Sequence, residues 1–108
     1  MRTIGEFAGA TIGLEWRGDL QVVVISVPLH LADTAEYRAV RGLADALSLG
    51  HPYIDAIGHP EVRIEIPHTG DVDQRLLALS DLVAEIRWSN PEYVQLEMII
   101  PELVEEMA

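Results

Sequence analysis

Two stretches decide the fold: Val22-Val23-Val24-Ile25-Ser26-Val27-Pro28-Leu29-His30-Leu31-Ala32-Asp33 and Val62-Arg63-Ile64-Glu65-Ile66-Pro67-His68-Thr69-Gly70-Asp71. Each is a β-prone run closed by proline, with a histidine one or two residues later and an aspartate placed to cap a following helix. Self-similarity on this scale predicts two copies of one supersecondary unit.

Working outward from the first copy, Leu20 to Val27 is nearly continuous in apolar residues and rich in β-branched ones, the pattern of a central strand buried on both faces. Upstream, Ile12, Leu14 and Trp16 alternate with Thr11, Gly13 and Glu15, a half-buried strand. On this reading Trp16 belongs to the core. Arg17-Gly18-Asp19 is read as the turn between these strands rather than as an adhesion tripeptide. Thr3 to Phe7 adds an edge strand.

Downstream, Asp33 and Glu36 form a capping box, and Tyr37, Val40, Ala44 and Leu47 make the buried stripe of a first helix that Gly50-His51-Pro52 stops. Tyr53–Ile57 and Val62–Ile66 read as a hairpin across Gly58-His59-Pro60-Glu61, with Arg63 and Glu65 outward. The second helix has Asp71 as cap and Gln74 three residues on, and Val72, Leu76, Leu79, Val83 and Ile86 on one stripe, widened by Leu77 and Leu82. Val94, Leu96, Met98 and Ile100 alternate with Gln95 and Glu97 as a last strand, and Pro101 opens a short terminal helix.

The expected fold class is therefore α+β: one domain over 1–108, with a mainly antiparallel sheet of four or five strands and two helices on one face. Residues 1–19 are an N-terminal β extension, 20–100 a β-α-β-β-α-β core, and 101–108 a short C-terminal helix. The core order resembles the ferredoxin-like split βαβ arrangement. That order already fills both sides of the central strand, which conflicts with a hairpin between the Ile12–Trp16 and Leu20–Val27 strands. Either the N-terminal strands displace an edge or the topology is a ββαβ variant.

If the repeated strands ran parallel as neighbours, His30 and His68 would share one sheet edge with Asp33, Asp71 and Asp73 nearby. Two histidines with a carboxylate such as Asp73 could hold a divalent metal or poise a general base. The plainer reading is that the aspartates cap helices and the histidines are ordinary loop residues. His51 and His59 adjoin prolines and read as turn residues. No cofactor is expected. The chain carries no cysteine, glycine-rich phosphate loop or GxSxG elbow, so thiolate sites, nucleotide cradles and hydrolase elbows have no support.

Charge is the other strong feature. Eighteen acids oppose seven bases, a net charge of −11, and residues 92–108 hold Glu92, Glu97, Glu102, Glu105 and Glu106 with no base. Such a field repels phosphate backbones and anionic lipid, and attracts basic protein partners. Trp88, Glu102, Glu105 and Glu106 are the candidate partner contacts, Trp88 as an interface anchor at the end of the second helix. The N-terminus has no hydrophobic signal core, so a cytoplasmic location is the default expectation.

Function is read as a small acidic protein-binding or oligomerising module: a regulator, an inhibitor or an assembly component. The alternative is an oligomeric ligand- or metal-binding protein or enzyme using the His30/His68 edge. A bare apolar sheet face opposite the helices predicts a homodimer or larger assembly.

Overall fold

The computed structural model describes residues 2–49, 54–57, 61–67, 72–86 and 90–107, the side chains of 54–57, 72, 106 and 107 excepted. Five strands form one sheet: β1 (Arg2–Phe7), β2 (Ala10–Arg17), β3 (Leu20–Pro28), β4 (Ile54–Ile57) and β5 (Glu61–Pro67), in the order β1-β2-β3-β5-β4, every neighbour antiparallel. A single 3-10 turn, Leu29–Leu31, leads into α1 (Ala35–Ser48), and α2 (Val72–Glu85) and α3 (Pro91–Met107) follow β5. The α+β class and the antiparallel sheet stand; among the described residues there are three α-helices where two were expected beside a short terminal one.

Two tight hairpins build the N-terminal half. Phe7 pairs with Ala10 across a turn in which Ala8 and Gly9 both take positive φ, 50° and 82°, as a turn matched to the strand twist requires. Arg17 pairs with Leu20 across Gly18-Asp19, with Gly18 at φ 63°. Arg17-Gly18-Asp19 is thus a hairpin turn.

β2 takes the place beside β3 that the ferredoxin-like order reserves for a last strand. That place is vacant because residues 94–100 are helical. Leu96, Ile99 and Leu103 are buried at i, i+3 and i+7, which only a helix can put on one face. Asn90 starts it: its Oδ1 accepts the Glu92 N–H at 3.0 Å and its carbonyl accepts the Tyr93 N–H at 3.0 Å, with Pro91 at the first helical position. The period-2 run through Val94 and Met98 that predicts a strand is real in the sequence, but both side chains are exposed. Pro101 lies inside α3 with its ring exposed, so the short terminal helix is the last part of a longer one.

Part of the expected core order remains. β3 and β4 run parallel, joined over α1, with β5 inserted antiparallel between them. α1 lies on β3 and β5, α2 packs on α1, and α3 covers β1. One core joins them: Phe7, Ile12, Leu14, Val23, Ile25, Val27, Val62, Ile64 and Ile66 from the strands meet Val40, Leu43, Leu47, Leu79, Leu96, Ile99 and Leu103 from the helices. Fully burying each such side chain contributes about 1.5–3 kcal/mol.

Several local expectations change. Thr34, not Asp33, caps α1: its hydroxyl accepts the Tyr37 N–H at 3.4 Å and donates to the Leu31 carbonyl at 2.6 Å. Trp16 is 67% exposed, because the helices do not reach the tip of the β2–β3 hairpin. Leu77 is exposed and does not widen the buried face of α2. Arg75 takes a buried position instead, at 1% exposure, and donates from Nη2 to the Pro67 carbonyl at 3.3 Å, tying α2 to the end of β5. Burial holds its guanidinium below the ordinary arginine range.

Candidate functional site

The parallel pairing that would bring the two histidine loops together does not form. β3 meets β5 antiparallel, with Pro28 opposite Glu61 and Val22 opposite Pro67, so Pro28 and Pro67 sit at opposite ends of the ladder. His68 and Asp71 lie outside the described residues. Asp73 is exposed in the first turn of α2. His30 is exposed and opens, with Thr11, Ser26, Pro28, Leu29 and Glu61, onto a shallow hollow of about 340 Å³. Among the described residues no three histidine or carboxylate side chains are grouped to hold a metal ion.

The sheet face away from the helices is not the bare apolar surface the sequence suggests. Four charged side chains from β2 and β5 bridge β3. Arg17 donates from Nη1 to Glu65 at 2.6 Å and from Nη2 to both Glu15, at 3.2 Å, and Glu65. Arg63 donates from Nε to Glu65 at 3.0 Å and from Nη2 to Glu15. Glu15 stands opposite Val22 and Glu65 opposite Val24 in the ladders, and these two valines are 3% and 0% exposed although neither belongs to the helix-side core. Burial pushes the Glu15 carboxyl up, but the guanidiniums of Arg17 and Arg63 override it and hold the group below the ordinary carboxylate range. Reading Arg63 and Glu65 as outward-facing is correct. What periodicity alone omits is that Glu15 and Arg17, two strands away, point to the same face.

An exposed apolar surface lies at the β1 edge of the sheet. Among the described residues β1 has β2 on one side only, and α3 stands over it. Three contacts set the spacing between them. The Ala8 N–H donates to Gln95 Oε1 at 2.6 Å; Ile99 packs so near Gly5 that a Cβ there would sit 3.0 Å from its Cγ1; and Arg2 Nη2 meets Glu102 at 3.4 Å. A register shift between Thr3 and Gly5 marks a bulge that sets Ile4 against the core.

Between strand and helix runs a groove of about 440 Å³, lined by Ile4, Gly5, Glu6, Gln95, Met98, Ile99 and Glu102. Met98 is 72% exposed and Val94, one turn before it on α3, is 53% exposed. Both are large apolar side chains that the fold does not use. Tyr93 donates to Glu97 on the same helix, which raises its hydroxyl above the ordinary range.

Of the predicted partner contacts, Glu102 lines this groove and Glu105 is exposed one turn further along α3. Trp88 and the Glu106 side chain lie outside the described residues. The sequence signal that could have found the groove is the α3 pattern itself, with buried positions at 96, 99 and 103 and apolar residues left over at 94 and 98. Among the described residues no helix is long and apolar enough to cross a membrane. The chain matches no family model, no curated protein and no solved structure.

Proposed function

We propose that this chain is a small acidic protein-binding module that presents the β1–α3 groove to a partner. The observation that carries this reading is an apolar lining, Ile4, Met98 and Ile99, with Glu6 and Glu102 beside it and Val94 exposed one turn before Met98 on α3. A centre of apolar anchors inside a charged rim is the composition of a protein interface. Arg2 meets Glu102, one of these carboxylates, in an exposed pair worth little in water. An approaching cation can replace it.

Site-specific photocrosslinking in the host tests this. A benzophenone side chain at position 98 should give a discrete adduct with a basic protein, and the same probe at Leu77, also exposed but on α2, should not. Identical adducts from both positions, or none from position 98, would remove the reading.

A further inference from the structure

We infer that the occupant of the groove is an extended, basic segment of a partner protein, added to β1 as a sixth strand. This rests on the protein-binding reading and specifies how the partner is held.

The geometry of β1 supplies the argument. In an antiparallel ladder, residues alternate between pairs that exchange both backbone hydrogen bonds and pairs that exchange none. The two-residue turn closes on a bonded pair, Phe7 with Ala10. Alternation then makes Glu6–Thr11 the unbonded pair, so the Glu6 N–H and carbonyl point away from β2, toward the open edge. Ala8, two residues on, faces the same way, and its N–H is taken by the side-chain carbonyl of Gln95. Gln95 thus occupies at Ala8 the place an added strand's carbonyl would take. Glu6, next along the edge, lines the groove and is exposed. An extended chain laid beside Arg2–Phe7 meets this edge on one side and α3 on the other, the arrangement by which edge strands capture peptides.

Side-chain chemistry follows from the pleat. Successive residues of an added strand face opposite sides. One set turns toward α3 and meets Ile4, Met98 and Ile99, which select aliphatic or aromatic residues. The other set turns to the side of Glu6 and selects arginine or lysine as a cross-strand partner. A net charge of −11 steers such a segment in and opposes a second copy of this chain.

The test uses fluorescein-labelled eight-residue peptides with arginine at alternate positions and Val, Ile, Leu, Phe or Tyr between them, titrated with the full chain and read by anisotropy. Circular dichroism confirms that each variant is folded. Peptides N-methylated at alternate residues should bind at least tenfold more weakly in the register that blocks the edge bonds, and glutamate-for-arginine peptides should not bind. Glu6→Gln removes charge alone and should weaken binding a few-fold. Glu6→Pro also removes the outward N–H, which an edge strand tolerates, and should weaken it tenfold further.

If Met98→Arg abolishes binding while N-methylation and Glu6→Pro change nothing, the protein-binding reading stands and strand addition is overturned. If no arginine peptide binds, or the glutamate peptides bind equally well, the inference is overturned. So too if light scattering gives a dimer that Met98→Arg converts to monomer, since the occupant would then be a second copy.

Discussion

Replacing Ile99 and Met98 separately by alanine tests the largest difference between the linear sequence and the fold. As a strand, 94–100 would turn Leu96, Met98 and Ile100 inward and Ile99 outward. As α3 it turns Leu96, Ile99 and Leu103 inward and leaves Met98 in water. Ile99 is 1% exposed and lies against the Gly5 backbone. Three carbons leave the core in Ile99→Ala, at about 0.8 kcal/mol each, or about 2.4 kcal/mol of transfer energy. The cavity adds to this, since hydrogen-bonded backbone cannot collapse into it, so about 3 kcal/mol is expected within the usual range of about 2–5. Met98→Ala should change stability by no more than about 0.5 kcal/mol. Urea unfolding followed by far-ultraviolet circular dichroism reads both as midpoint shifts at constant slope. Gly5→Ala sharpens the test: its methyl meets Ile99 Cγ1, so it should cost less in the Ile99→Ala background than alone. Equal shifts for Ile99→Ala and Met98→Ala, or the reverse order, would refute the helical packing.

Three further outcomes are expected. Thr34→Ala should lower stability by about 0.5–2 kcal/mol through loss of the α1 cap, and Asp33→Ala should be nearly neutral; the urea midpoints reverse if Asp33 is the cap after all. The Glu15 carboxyl is held below its ordinary 4.5, so its contribution is complete above about pH 4.5 and is lost as pH falls through the lower folded value. Wild type should therefore lose stability below pH 4.5 more steeply than Glu15→Gln, and parallel pH profiles would contradict the network. Zinc titration calorimetry should give equal, weak uptake by wild type and His30→Ala, because His30 and Glu61 alone do not complete a four-ligand shell; a tight site lost in the variant would reinstate His30 as a ligand.

Local patterning was enough to mark the runs that became the five strands and to place the first two helices, although it also marked 94–100 as a strand. Val22–Val27 and Val62–Ile66 are strands because β-branched residues and period-2 patterning are local properties, and α1 buries Val40, Ala44 and Leu47 as its 3.6-residue stripe requires. Tertiary structure decided everything that depends on a partner. Periodicity says that a segment has a buried face and is silent on what covers it, so the antiparallel pairing of β3 with β5, and with it the separation of Pro28 from Pro67, could not be read from the repeat. Residues 94–100 satisfy periods of 2 and 3.6 at once, and the contest went to the helix because β1 needed a cover that Leu96, Ile99 and Leu103 supply together. The same holds on the far face. Val22 and Val24 look like a surface awaiting a second molecule until Glu15, Arg17, Arg63 and Glu65, up to 50 positions apart in the chain, pair with one another on the same face.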